Sequence, residues 1–380
     1  NGAFTLEGGT FTLSVSGVRT LTVNGSAALT GGELTYASIG VLDVNGNVTC
    51  SGTVCAFMPD IRCAGDWNSD AAFAPTSGGV LTLDGGGPAT FRAATVGGTI
   101  TLPGLVVASG AKSAAASVMV SAPTISISSG ATLSTGVNPL TLHRAAGTTV
   151  VTANGVLEAA AGGVLGLGPQ STTTVSSTGT LRLPGVPEAR ATIEGVPTGG
   201  FALIVNGTIF AKNCDILRPG TNGLVVNSGA TLAAPPNDLR AATFDFPAGP
   251  GARLLSITRL AATNLRYTEF RNTGGVAGAF GASCTSGAAI SFTNWSGALS
   301  GPAFENDPGN RIAWNAPEVP VLSFLGAVPG VSLATLLWTM TYTVDTSGYR
   351  IDRTDGGPYV FVAEPAEAGA GNYNYVDQPL

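Results

Sequence analysis

Charge is what this chain of 380 residues has least of: Asp, Glu, Lys and Arg make up 11% of it, against roughly 25% in an average soluble domain. Basic charge is scarcest. The 17 Lys and Arg include only two lysines, Lys112 and Lys212, and 23 Asp and Glu bring the formal net charge to −6. No basic cluster is present to meet phosphates, so no nucleic-acid partner is expected. His143 is the single histidine, so no Ser-His-Asp or Cys-His arrangement can be built without it. No stretch approaches 18 uninterrupted apolar residues, which leaves no candidate membrane-spanning helix. Asn1-Gly2-Ala3-Phe4-Thr5 is not a charged segment leading into an apolar one, so any secretion signal is expected to be gone already.

Apolar residues and glycine are plentiful. Hydrophobic residues are 44% of the chain and 54 of its residues are glycine, about twice the usual ~7% share. These numbers exclude a disordered, charge-solvated chain. The glycines fall into a pattern. Asn24-Gly25 and Asn45-Gly46 are 21 residues apart; Ser129-Gly130, Asn154-Gly155 and Thr178-Gly179 follow at steps of 25 and 24; Asn206-Gly207 and Ser228-Gly229 are 22 apart. Between them lie short runs with strand alternation, such as Leu21-Thr22-Val23, Ile125-Ser126-Ile127 and Thr180-Leu181-Arg182-Leu183. An antiparallel sandwich turns every ~8–12 residues, whereas a parallel β-helix repeats a whole coil of two or three strands. The spacing predicts the second: an all-β, right-handed parallel β-helix over residues 1–316, of about 14 coils at ~4.8 Å each. Composition changes at Ala316-Pro317-Glu318-Val319-Pro320, and the longer aromatic strands of 317–380 read as an antiparallel sandwich piece.

Two stretches carry resemblances. Cys63-Ala64-Gly65-Asp66-Trp67-Asn68, then Phe73-Ala74-Pro75-Thr76, then Gly79-Val80-Leu81-Thr82-Leu83-Asp84-Gly85, resembles a motif of large secreted bacterial surface proteins, continued by Leu105-Val106-Val107. The resemblance covers roughly residues 63–133 and implies an adhesin-like or cell-surface β-solenoid without enzymatic activity. Residues 318–380 are similar to a fibronectin type III domain, through Leu337-Trp338, Gly348-Tyr349-Arg350-Ile351-Asp352-Arg353 and Tyr373-Asn374-Tyr375-Val376-Asp377. That similarity stops at Leu380, before the family's last strands, which implies an incomplete module whose open edge is covered by a continuing chain or a neighbour.

Candidate chemistry is sparse. Cys50, Cys55 and Cys63 fall within 14 residues and suit one disulfide in an exported protein. They lack the paired spacing of a zinc site. Cys214 and Cys284 are expected to be buried singly. Asp66-x-Asn68-x-Asp70 imitates the start of a calcium loop, but Ala71 and Ala72 stand where a turn glycine belongs and Ser77 where the closing Glu would be. No metal or cofactor is expected. Between residues 85 and 187 the only acid is Glu158, so the middle rungs lack the carboxylates a glycosidase or lyase needs. Glu188 and Glu194 with Arg190, and Asp238 and Asp245 with Arg240, remain, read as solvated corners in Pro-containing loops. No catalytic residue is assigned and no enzyme is expected. Trp295, Trp314, Tyr373 and Tyr375 are the candidate assembly or glycan-stacking face, although a Trp beside the end of an apolar solenoid more commonly shields its last rung. These readings converge on an extracellular structural protein, a subunit of a bacterial surface layer or filament that associates with itself through strand edges or its C-terminal module. The alternatives are an adhesin or carbohydrate-binding protein and a β-helix polysaccharide lyase or glycosidase.

Overall fold

A three-residue strand cannot bury its apolar side alone. Stacked in register on an identical strand one coil away, it satisfies its backbone and covers its inward side chains at once. That arrangement runs through residues 1–315, the first of the two units into which the chain divides; the second is 316–380. The computed structural model describes residues 2–13, 19–36, 40–55, 57–75, 77–144, 147–196 and 200–315, and the strands within 321–329, 334–342, 351–353, 360–363 and 371–377.

The first unit is a parallel β-solenoid with three faces. The first face is a 12-stranded sheet opened by Phe4–Leu6, the second a 13-stranded sheet from Arg19–Val23 to Glu305–Asn306, and the third an eight-stranded sheet from Thr99–Thr101 to Glu269–Phe270. Shorter pairs, Thr10–Leu13 with Glu33–Tyr36 and Phe57–Met58 with Ser77–Gly78, precede the third sheet. The thirteen strands of the longest sheet extend over about 58 Å at ~4.8 Å per step. Coil length varies, which is why they fall short of fourteen. Leu105 sits on Ile125 after 20 residues, whereas Leu224 sits on Leu255 after 31.

Inward positions form continuous columns. On the second face Leu105, Ile125, Val151, Thr173, Leu203, Leu224 and Leu255 lie in successive register, all essentially inaccessible to solvent. The Asn-Gly corners that set the sequence period also stack. Asn45 donates its side-chain amide to Asn24 at 3.0 Å, and Asn227, just before the Ser228-Gly229 corner, donates to Asn206 at 2.7 Å. Glycine follows the asparagine because the neighbouring coil presses close: a Cβ at Gly155 would lie 2.2 Å from the Ser128 carbonyl oxygen, and one at Gly207 2.2 Å from that of Gly179.

Helix is nearly absent among the described residues, the single 3-10 turn being Pro302–Phe304. The Ala-rich segments 113–117 and 157–163 enter strands Ala111–Ala114 and Val156–Glu158 and the corners after them. Lys112 points inward, with its stem in the core and its ammonium donating to the carbonyls of Gly85 at 2.8 Å and Gly87 at 3.2 Å. Burial draws its pKa below the ordinary lysine value. The second unit is antiparallel throughout its described strands: Ala334–Tyr342 pairs with Val321–Pro329 on one side and Gly371–Asp377 on the other, and Ile351–Arg353 pairs with Val360–Ala363.

Thr173 interrupts the second-face column. It is fully buried, and its hydroxyl has no hydrogen-bond partner among the described residues. Replacing it with valine removes an unsatisfied polar group at nearly constant volume, so Thr173→Val is expected to stabilise the protein by about 1–2 kcal/mol. Leu203→Ala, one rung away, is expected to cost about 2–5 kcal/mol. Denaturant melts of the two variants measure both, and a destabilised Thr173→Val would contradict the assignment.

Candidate functional site

Ionisable side chains gather on the third face, in the strands Ala191–Gly195, Cys214–Leu217, Thr243–Asp245 and Glu269–Phe270. Alternation in these strands turns Ile193, Ile216, Phe244 and Phe270 inward, which leaves Glu194, Asp215 and Glu269 partly exposed on the outward side, where Thr243 and Asp245 also lie but are covered by their neighbours. Register aligns Thr192, Asp215, Thr243 and Glu269 in one column, and Glu194, Leu217 and Asp245 in the next.

Arg190 ties the rungs together. Its Nε donates to Asp215 at 2.8 Å, and its Nη2 contacts the carbonyl oxygens of Cys214 at 2.7 Å and Ala241 at 2.8 Å and the Thr243 hydroxyl at 3.0 Å. Thr243 donates to Glu269 at 3.3 Å, and Glu269 also receives Arg271 at 2.7 Å. The result is one polar chain, Asp215–Arg190–Thr243–Glu269–Arg271. Beside it Arg218 pairs with Glu194 at 3.5 Å and lies 4.7 Å above the Phe246 ring. Both Arg218 and Phe246 hold positive φ, 54° and 58°, at the tight bends that end consecutive strands of this face. Asp245 is spent on the fold: it accepts from the backbone amides of Phe246 and Thr273 and from the Thr273 hydroxyl at 2.6 Å. An open groove of about 450 Å³ runs over Arg190, Asp215, Thr243, Phe246, Glu269 and Arg271.

This corrects the reading of Arg190, Glu194 and Asp245 as solvated loop corners. They meet on one face, joined by Asp215, Thr243, Glu269, Arg218 and Arg271, none of which the sequence had singled out. Glu188 does remain at an exposed corner, and Asp238 and Arg240, 3.8 Å apart, lie on a strand of the first face. Glu158, the lone acid of the middle rungs, pairs with Arg182 at 3.4 Å across one coil.

The other candidates are placed differently. Cys50, Cys55 and Cys63 are free, buried thiols, and the expected disulfide is not formed in this structure, although Cys55 and Cys63 lie near enough to Cys50 to act on it electrostatically. Cys50 ends a first-face strand in the column Leu29, Cys50, Ser69, and Cys63 ends a second-face strand between Val44 and Leu83. Cys50 and Cys63 therefore lie on different sheets, and Cys55 falls between strands. Cys214 and Cys284 are free and buried as well. Asp66 accepts from the Thr90 amide and hydroxyl, and Asp70 from the amides of Gly52, Ala72 and Phe73, so both cap backbone. No group of three potential metal ligands occurs among the described residues. Trp295 and Trp314 do come together, with ring centroids 5.4 Å apart. Both pack against the core, Trp314 stacking on Phe292 at 4.5 Å while its indole donates to Glu305. Tyr373 and Tyr375 belong to the strand Gly371–Asp377, but their side chains lie outside the described residues. No protein-family model, curated protein or solved structure matches the chain.

Two predictions follow from this geometry. Removing Arg190 strands two carbonyls and a carboxylate, so Arg190→Met is expected to cost about 2–3 kcal/mol, whereas Glu188→Ala should stay within about 0.5 kcal/mol. Equal denaturation midpoints for the two would refute the clamp. The cysteines give the second. Burial pushes the Cys55 and Cys214 thiols up to about 12 and Cys63 to about 11, from an ordinary 9.0. All five are therefore expected to resist a maleimide at pH 8 until the protein is denatured. Since the unfolded thiols ionise first, stability should fall as pH rises from about 9 toward 11–12. Labelling of a native thiol within minutes, read by mass spectrometry, would contradict the burial.

Proposed function

We propose that this chain is a non-enzymatic extracellular structural protein, a right-handed solenoid with a fibronectin type III-like module, serving as a subunit of a bacterial surface layer or filament. The observation that carries the proposal is the second face. Its six consecutive strands from Leu105–Val107 to Pro219–Val226 contain no Asp, Glu, Lys, Arg or His. Outward they present residues such as Val106, Ser126, Thr152, Thr174 and Ile204, one above another. Desolvating hydroxyls and methyls costs far less than desolvating ions, so such a face supports lateral contact between rods. Exposed strand edges and the C-terminal module offer further routes of assembly. The near-universal right hand of parallel crossovers supports a right-handed winding.

A second reading, a carbohydrate-binding surface protein, is favoured by the polar groove of the third face. The assembly reading is tested by light scattering over a concentration series, together with electron microscopy of the native material. Concentration-dependent oligomers or fibres are expected, and Thr174→Lys on the second face should suppress their lateral growth without altering the melt. A strict monomer at every concentration would remove the assembly role.

A further inference from the structure

The third-face groove has hydrogen-bonding capacity that the fold does not use. Asp215 spends Oδ1 on Arg190, and Glu269 spends Oε2 on Thr243 and Arg271. Asp215 Oδ2, Glu269 Oε1 and Arg271 Nη1 make no hydrogen bond to protein among the described residues. These groups reach solvent: the Asp215 and Glu269 side chains are 22% and 29% exposed, and that of Arg271 52%. Asp215 and Glu269 occupy the same column two rungs apart, about 9–10 Å between backbones at ~4.8 Å per rung. Leu217 and Phe246 contribute apolar surface beside them.

We propose that this groove binds a neutral oligosaccharide. A sugar hydroxyl both donates and accepts, so a row of them can donate to the free carboxylate oxygens and accept from the Arg271 guanidinium. The lining brings three carboxylates, Asp215, Asp245 and Glu269, against two guanidinium groups, Arg190 and Arg271. That balance gives a uronate chain no net attraction and an amino-sugar polymer little. The volume of about 450 Å³ falls within the ~300–1,000 Å³ of small-molecule sites, and Leu217 and Phe246 can meet the C–H faces of the rings. The floor is preorganised, since Arg190 fixes Asp215 and Thr243 and the in-register strands fix the rest, so little order has to be created on binding.

The assignment rests on the carbohydrate-binding reading, and the two can fail separately. The experiment titrates the full chain calorimetrically with neutral gluco- and manno-tetrasaccharides, and with a hexuronate tetrasaccharide for comparison. At least one neutral tetrasaccharide is expected to bind saturably and more tightly than the uronate. Glu269→Gln and Arg271→Ala should each weaken it at least about tenfold. Arg271→Ala removes a half-exposed side chain and is expected to leave the melt unchanged, which keeps the test valid if Glu269→Gln perturbs folding. Binding that survives both substitutions would overturn the groove while sparing the carbohydrate reading. Absence of binding would overturn both, and preference for the uronate would overturn the neutral class.

Discussion

The structure depends on in-register hydrogen bonding between parallel strands one coil apart. Each rung is fixed to the next at ~4.8 Å, so every inward side chain inherits a neighbour above and below of the same register. This leaves little freedom at three kinds of position. Inward residues are nearly all apolar; Lys112 reaches the Gly85 and Gly87 carbonyls, and Thr173 is the inward exception whose hydroxyl stays unpaired among the described residues. Corner residues must tolerate a carbonyl pressing from the adjacent coil, as Gly155 and Gly207 do. Outward residues are released from packing, yet they stand in columns whose members touch. Glu158 thereby finds Arg182, and Arg182 in turn lies 5.5 Å from the Phe210 ring.

That column logic explains what the sequence made legible. The Asn-Gly and Ser-Gly corners gave the period because they stack, and the alternation in runs such as Ile125-Ser126-Ile127 gave strands because one side of each is dry. The charged site was missed for the same reason in reverse. Pro184, Pro187 and Pro197 bracket Arg190 and Glu194 and make the segment look like a loop, while its partners lie a full coil away. Arg190 meets Asp215 at a separation of 25 residues, Glu194 meets Arg218 at 24, and Thr243 meets Glu269 at 26. Complementary side chains separated by one coil length were the available signal, and local motif spacing cannot register it. The cysteines are the converse error. Thirteen residues separate Cys50 from Cys63, about half a coil, which carries the chain from one sheet to another.

Corners also mark a change along the rod. Toward the C-terminal end the bends use residues with side chains at positive φ: Asn213, Ala241, Tyr267 and Asn294 recur about one coil apart, where a β-carbon makes that conformation costly. Larger core residues accompany the change. Phe244 stacks on Phe270 at 5.4 Å, Phe270 meets Phe292 at 5.5 Å, and Phe292 meets Trp314 at 4.5 Å. Tight bends and an aromatic column reinforce each other, because sharper corners fix the strands that a wider filling must span. Trp314 ends that series in register with Phe292, and Trp295 meets it edge-on, which accounts for their packing against the core.

The proposed scaffold and the proposed ligand groove would draw on the same source. A loop-borne site must be ordered when its ligand arrives, and that ordering subtracts from affinity. Here the acceptors and donors of the third face stand on strands already fixed by the neighbouring rungs, and Arg190 reaches the backbone of two of them. Whatever stiffens the rod therefore also holds Asp215, Thr243 and Glu269 at constant spacing. The uncharged middle strands of the second face and the charged strands of the third would then serve the two proposed tasks without competing, since altering outward residues on one leaves the inward columns, and hence the other, unchanged.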